Sequence, residues 1–301
     1  MKKSVLALAL AFGVSSAFAQ DLTSKKGEPI LPEAGDWAIG IDATPFLDYA
    51  GKFLSNNGAT APSWHHLNTT NTIIGKMFKD EKTAYRAILR IGMTNNKMRK
   101  DIVDVTVTTP PTFPALPTMK EDVMKSSSTA IGLGAGMEFR RGKTRLQGYY
   151  GADAMLWYGG GTKETYTYGN ALSTTTGAAS TANSSDFGTG NINPAYSTSG
   201  YSGRVVSKKG GNSFGFGVRG FIGAEYFLFP KISLGGEFGW GLGISSTGAV
   251  TSTVEQFNAA GAAVGSTDYT VTKKSGGFSL DTDVNKFGTG ASGALRLNLH
   301  F

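Results

Sequence analysis

Most of the side chains here that could do chemistry are charges, set on one parity of alternating segments. The chain holds three histidines and no cysteine among 301 residues, which excludes disulfides, thiolate metal sites and cysteine nucleophiles. His65 and His66 sit together in SWHHLN, close to Ser63. Neighbours on an extended chain point to opposite faces, so this is a poor metal pair. A nearby serine does not make a catalytic triad either, because a triad is defined in space. Both histidines read as rim or loop residues, and His300 reads as an inward hydrogen-bonding group. GGGT at 159–162 lacks the lysine and the following helix of a phosphate loop. The stronger grouping is ionic: Asp42, Asp48, Glu138, Asp153, Glu225 and Glu237 against Lys76, Arg86, Arg90, Arg140, Arg145, Arg219 and Arg296. A buried charge is tolerated only when paired and hydrogen-bonded, so this near balance suits a salt-bridge network that fills an enclosed space. The alternative is the lining of a selective pore. No catalytic, cofactor-binding or metal-ligating residue is assigned.

The elements that carry these charges are strands of period two. In TAIGLGAGMEFR, Ile131, Leu133, Ala135, Met137 and Phe139 alternate with glycines, Glu138 and Arg140. In RLQGYYGADAMLWY, Leu146, Tyr150, Leu156 and Tyr158 oppose Arg145, Gln147 and Asp153. SFGFGVRGFIGAEYF sets Phe214, Phe216, Val218 and Ile222 against Arg219 and Glu225. KISLGGEFGWGLGIS sets Phe238, Trp240, Leu242 and Ile244 against Ser233 and Glu237. DWAIGIDATPFLDY, NTIIGKMFK and AYRAILRIGM follow the same plan, and so does the terminal GALRLNLHF, with Leu295, Leu297, Leu299 and Phe301 on one face. Eight strands result. Small residues beside the charges suit the interior of a narrow barrel, which eight strands leave just wide enough for side chains.

Links between strands alternate strictly. Those at 79–82, 140–143 and 229–231 are tight; those near 50–69, 95–128, 159–210 and 246–286 are long and polar. Short turns at one rim and long loops at the other mark an up-and-down transmembrane barrel. Hydrocarbon offers no partner to a free strand edge, so such a sheet has to close on itself. Tyr49, Tyr158, Trp240, Tyr226, Trp37 and Phe301 are assigned to an aromatic girdle at strand ends. The segment 170–203 is polar, poor in apolar anchors, and reads as a mobile surface loop. TSTVEQFN and TDYTVTKK alternate loosely; they would raise the count to ten strands, or else extend above the bilayer as a hairpin.

Lys2 and Lys3, an apolar run and Ala17-Phe18-Ala19 give the layout of a cleaved signal peptide over 1–19. Residues 20–35 then form a short periplasmic segment, and 36–301 the barrel. The 42 glycines and the absence of a 3.6-residue apolar period argue against helices. A mild basic excess, without basic runs interleaved with aromatics, gives no sign of nucleic-acid binding.

GDWAIGIDATPFLDY, TAYRAILRIG, RRGKTRLQGYYGADAMLWYGGG and GFGVRGFIGAEYFLFPKISLGGEFGWGLG resemble the small OmpA/OmpX-type eight-stranded outer-membrane barrels. They are similar to the barrel-domain outer-membrane proteins of Bacteroidota. ALRLNLHF resembles the insertion signal read by the barrel-assembly machinery, through Leu295, Leu297, Leu299 and Phe301. The resemblance implies a bacterial outer-membrane location, contact with membrane lipids and lipopolysaccharide, and no cofactor. A structural or surface-interaction role carried by extracellular loops is the leading expectation, with an extracellular or outer-membrane protein as a further partner. A small pore for small or hydrophobic molecules, as in OmpW-type barrels, comes second. A lipid-modifying enzyme using His65 and His66 comes third.

Overall fold

The computed structural model describes residues 22–24, 26–43, 73–109, 111–172, 184–192, 203–258, 263–282 and 294–301. Residues 1–19, Asp48, Tyr49, His65 and His66 lie outside that set, and of Asp42 only the backbone is described. Every regular element within it is a strand: β1 (Trp37–Asp42), β2 (Ile73–Asp80), β3 (Thr83–Val103), β4 (Met119–Arg141), β5 (Leu146–Thr167), β6 (Gly203–Lys209), β7 (Ser213–Phe229), β8 (Ile232–Thr247), β9 (Val250–Asn258), β10 (Ala263–Thr272), β11 (Ser275–Thr282) and β12 (Ala294–His300). All twelve belong to one antiparallel sheet. No described helix is long and apolar enough to cross a membrane.

The pairings form a closed circuit. β1 pairs β2, β2 pairs β3, β3 pairs β4 and β4 pairs β5. β5 pairs β7, β7 pairs β8, β8 pairs β12, and β12 returns to β1. These are the eight segments that alternation picks out. Trp37 and Phe301 close the seam by donating backbone N–H groups to each other's carbonyls, at 3.2 and 2.7 Å. The three tight links are turns between β2 and β3, β4 and β5, and β7 and β8. In the last of these Lys231 takes φ +67°, and its carbonyl accepts the His300 N–H at 2.8 Å, tying the turn to β12.

Alternation alone predicts a loop over 95–128, yet β3 and β4 stay paired as far as Val103 opposite Met119. Their upper halves are mostly polar, rich in Ser, Asn and Lys, and pair as strands without a continuous apolar face, although Ile102 and Met124 are buried. A further layer continues this extension. β6 pairs the upper part of β5, β9 pairs β6, and β10 pairs β9 as a hairpin outside the circuit. β11 takes the upper half of β8, above β12. Among the described residues the strands therefore number twelve rather than eight or ten.

This upper layer has its own core, in which Met124, Tyr166, Phe187, Val205 and Val254 are buried together with Tyr168 and Tyr269 against them. Phe187 corrects the expectation that 170–203 is poor in apolar anchors. Burial drives the Tyr168 phenol above its ordinary pKa; its hydroxyl donates to the Val205 carbonyl at 2.7 Å. Asp104 lies on the neighbouring β3–β4 link. Hydrogen bonds from Thr106, followed by Lys120, hold its carboxyl at about 2. That stabilisation is present above the ordinary carboxylate range and is lost only as pH falls toward 2.

Asp122 anchors the layer. Fully buried, it accepts N–H bonds from Gly169 at 2.7 Å and Ser185 at 2.6 Å. Asp122→Ala leaves two buried donors unmet and is expected to lower local stability by about 2–4 kcal/mol. Limited proteolysis should then cut within 168–192 faster than in wild type, while the unfolding midpoint of the eight-strand circuit stays unchanged.

Candidate functional site

The interior of the circuit is where the predicted charges meet. Parity puts them there: on each strand the residues between the exposed apolar ones face inward. Close approach then depends on glycine. A Cβ on Gly136 would lie 2.1 Å from Asp153 Oδ1, and one on Gly223 would lie 2.3 Å from the Tyr149 ring. Glycine at these two positions makes room for a carboxylate and a phenol.

Two linked layers of ions result. Nearer the tight turns, Glu138 is fully buried and receives Lys76 at 2.9 Å and Arg140 at 2.7 Å. Arg140 also reaches Glu225 at 2.7 Å and donates to Gln147 at 2.8 Å. Glu225 further accepts from Asn298 at 2.6 Å and from the Ser233 hydroxyl. His300 Nε2 lies 3.1 Å from Ser233 Oγ. In the second layer Arg86 bridges upward. Its guanidinium contacts Glu138 at 3.3 Å, Glu237 at 2.8 Å and Asp153 at 3.3 Å. Arg219 completes the layer, 2.6 Å from Glu237 and 3.8 Å from Asp153. Four cations (Lys76, Arg86, Arg140, Arg219) thus meet four carboxylates (Glu138, Asp153, Glu225, Glu237).

Aromatic rings separate the charges. Arg86 lies 3.9 Å from the Phe221 centroid, Lys76 lies 4.9 Å from that of Tyr149, and Arg140 lies 5.3 Å from that of Phe78. The Phe227 and His300 rings pack at a 45° tilt, their centroids 5.2 Å apart. Above the ions, Ile74, Ile88 and Met155 form a buried apolar cluster with Trp157 packed on it. The arrangement neutralises and fills the space at this level.

Of the predicted set, Lys76, Arg86, Glu138, Arg140, Asp153, Arg219, Glu225 and Glu237 come together. Arg145 does not. It sits at the β4–β5 turn and donates to the Leu228 carbonyl at 3.3 Å, because a residue at a strand end faces the rim and not the interior. Arg90 and Arg296 are half-buried, and neither makes an ion pair with another described carboxylate. The Asp42 backbone registers opposite Arg296. Sequence reasoning passed over Phe78, Phe221 and Phe227 as interior groups, although each shares the parity of Lys76 or Arg219, whereas alternation does put Tyr149 on the face of Asp153, where it is buried. His300 bonds inward as expected.

The outward face is the inverse. Ile91, Met93, Leu133, Leu156, Phe214 and Ile244 are each more than half exposed. Leu295, Leu299 and Phe301 line β12 on that face at 42, 36 and 61 % exposure, with Leu297 half-buried. Trp37 and Phe301 lie at one end of the circuit and Tyr226 at the lower end of the β5–β7 ladder, but Trp240 falls opposite Gly220 in the middle of the β7–β8 ladder. It is thus removed from the strand-end girdle. Comparison with family models, curated proteins and solved structures finds no match for this chain.

Proposed function

We propose that this chain is an integral bacterial outer-membrane β-barrel protein whose role is structural or surface-interacting. One observation carries the reading: exposure is inverted relative to a water-soluble protein. Lys76, Arg86, Glu138, Arg140, Asp153, Glu225 and Glu237 are buried, whereas large apolar side chains on all eight strands of the circuit stand exposed. A soluble monomer rarely exposes a continuous apolar surface of that extent. Hydrocarbon accepts it, and the closed circuit leaves no spanning edge without backbone partners.

The strand lengths fit the same reading. A tilted strand crosses hydrocarbon with ~9–11 residues. β3 has 21 and β4 has 23, so about half of each stands beyond the apolar band. That projection, with β6, β9 and β10, presents a surface outside the membrane. At its tip Phe113 and Leu116 are 94 and 87 % exposed, an apolar pair available to an extracellular or neighbouring outer-membrane protein. The filled ionic interior speaks against steady conduction, so the pore reading stands second. A lipid-modifying activity rests on His65 and His66 alone.

The test uses the chain from residue 20 onward, made without its leader. It is expected to be insoluble in plain buffer, to fold in detergent or phospholipid vesicles, and to migrate differently on gels before and after boiling. Planar-bilayer recordings from the folded monomer should show no steady conductance. A monodisperse protein in buffer with a cooperative melt would sink the membrane reading; sustained ion-selective current would sink the filled interior.

A further inference from the structure

We propose that Lys97, Lys125, Lys163 and Lys209 form a binding row for the phosphate of an anionic lipid headgroup, with an acyl chain of that lipid lying in the apolar groove beneath. The inference rests on the membrane reading and names a lipid contact for it.

The row follows from register. Lys97 on β3 stands opposite Lys125 on β4. Lys163 on β5 stands opposite Lys209 on β6. Lys163 also faces Ser127, two residues from Lys125. The four lysines therefore run across four neighbouring strands. They share the outward face: Lys97 follows Met93 at even spacing, and Lys125 follows Ile131 likewise. Between Gly160 and Lys163 β5 has one residue more than the Ser127–Thr129 step of β4 that it pairs, which changes its parity, turning Tyr166 inward to 5 % exposure and leaving Lys163 exposed outward. All four lysines are exposed.

Like charges placed directly opposite each other destabilise a sheet, and here this occurs twice side by side. None of the four makes an ion pair with another described residue. On the same face of β4, Glu121 is engaged with Arg99 at 2.9 Å. A phosphate bridging the row removes the repulsion.

The groove fixes the choice of a lipid. A cavity of about 540 Å³ opens on the outward face, lined by Ile131, Leu156, Tyr158, Phe214, Phe216 and Ile244. Tyr158 and Lys163 are five residues apart on β5, ~16 Å along the strand and roughly 11 Å in height at the usual tilt. That separation carries the ammonium from hydrocarbon depth to headgroup depth. One lipid can thus place a chain in the groove and its phosphate among the lysines.

The test inserts the full mature chain into phosphatidylcholine vesicles with or without phosphatidylglycerol, then extracts it in mild detergent and counts retained lipids by native mass spectrometry. Changing all four lysines to Gln is expected to weaken phosphatidylglycerol retention roughly tenfold or more, with phosphatidylcholine retention unchanged. Ser246→Trp, on the outward parity of Ile244 and opposite Phe214, crowds the groove, spares the lysines and should lower retention several-fold. The gel shift on boiling confirms that each variant folds. Equal phosphatidylglycerol retention by the folded quadruple variant would overturn the inference and leave the membrane reading standing. Lysine-dependent binding of inorganic phosphate to protein in pure phosphatidylcholine would also overturn it, assigning the row to a soluble anion. Failure of the wild type to insert would overturn both.

Discussion

Glu138→Ala should lower the unfolding free energy by about 3–5 kcal/mol, the range for breaking a buried ion pair from one side. Glu138 merits the upper part of that range because it serves three cations, Lys76, Arg86 and Arg140, at 2.9, 3.3 and 2.7 Å. Alanine leaves all three buried cations with one carboxylate fewer. Glu138→Gln keeps the volume and one acceptor oxygen and should cost less. Combining Glu138→Ala with Lys76→Met should cost less than the two single changes added, because each removes the partner that the other strands. Urea unfolding of vesicle-inserted protein, followed by tryptophan fluorescence, measures all of these. Salt gives an internal contrast. The buried network should be insensitive to added NaCl, while Arg99→Ala, at a pair 57 and 41 % exposed, should change stability by less than about 1 kcal/mol. A Glu138→Ala protein as stable as wild type would mean that the interior ions are hydrated and the space is open.

The eight-strand circuit and its charged interior were legible because two demands act on the same residues. An apolar outward face and ions inside force strict alternation, so Leu133 and Glu138 identify their faces without any knowledge of their neighbours. The upper layer lacks that double constraint. Along SSST in β4 both parities are polar, and period two leaves no mark even though the backbone pairs fully; β9 alternates only loosely, its Val250 and Val254 set among Thr and Ser. β6 carries Val205 and Val206 side by side, which breaks the alternation that would have exposed it. Phe187 is buried from an irregular segment, where no period exists to read. Pairing within the interior was legible only in its balance. Which arginine meets which carboxylate depends on register and strand tilt, and Arg145 shows the cost of parity alone: it has the right phase and lies one turn too close to the rim.

The outward face makes the opposite demand, and its prediction depends on depth. Leu89→Arg is expected to destabilise the vesicle-inserted protein by about 2–4 kcal/mol, whereas Met93→Arg should cost only about 0–1 kcal/mol. Both side chains are exposed, at 41 and 71 %, and both lie on the outward parity of β3. They differ in position along the strand. Leu89 pairs with Leu133 near the middle of the apolar band, and Met93 pairs with Thr129 where that band gives way to Ser and Lys. At the midplane an arginine has to snorkel or thin the bilayer to keep its charge hydrated; near the edge it reaches the headgroups directly. In a water-soluble protein the same two changes at exposed sites would each fall within about 0.5 kcal/mol of wild type and would improve solubility. The ordering of the two variants therefore reports which solvent surrounds the sheet. Unfolding titrations of both in vesicles of one lipid composition decide it, and equal, negligible costs would place water against Leu89.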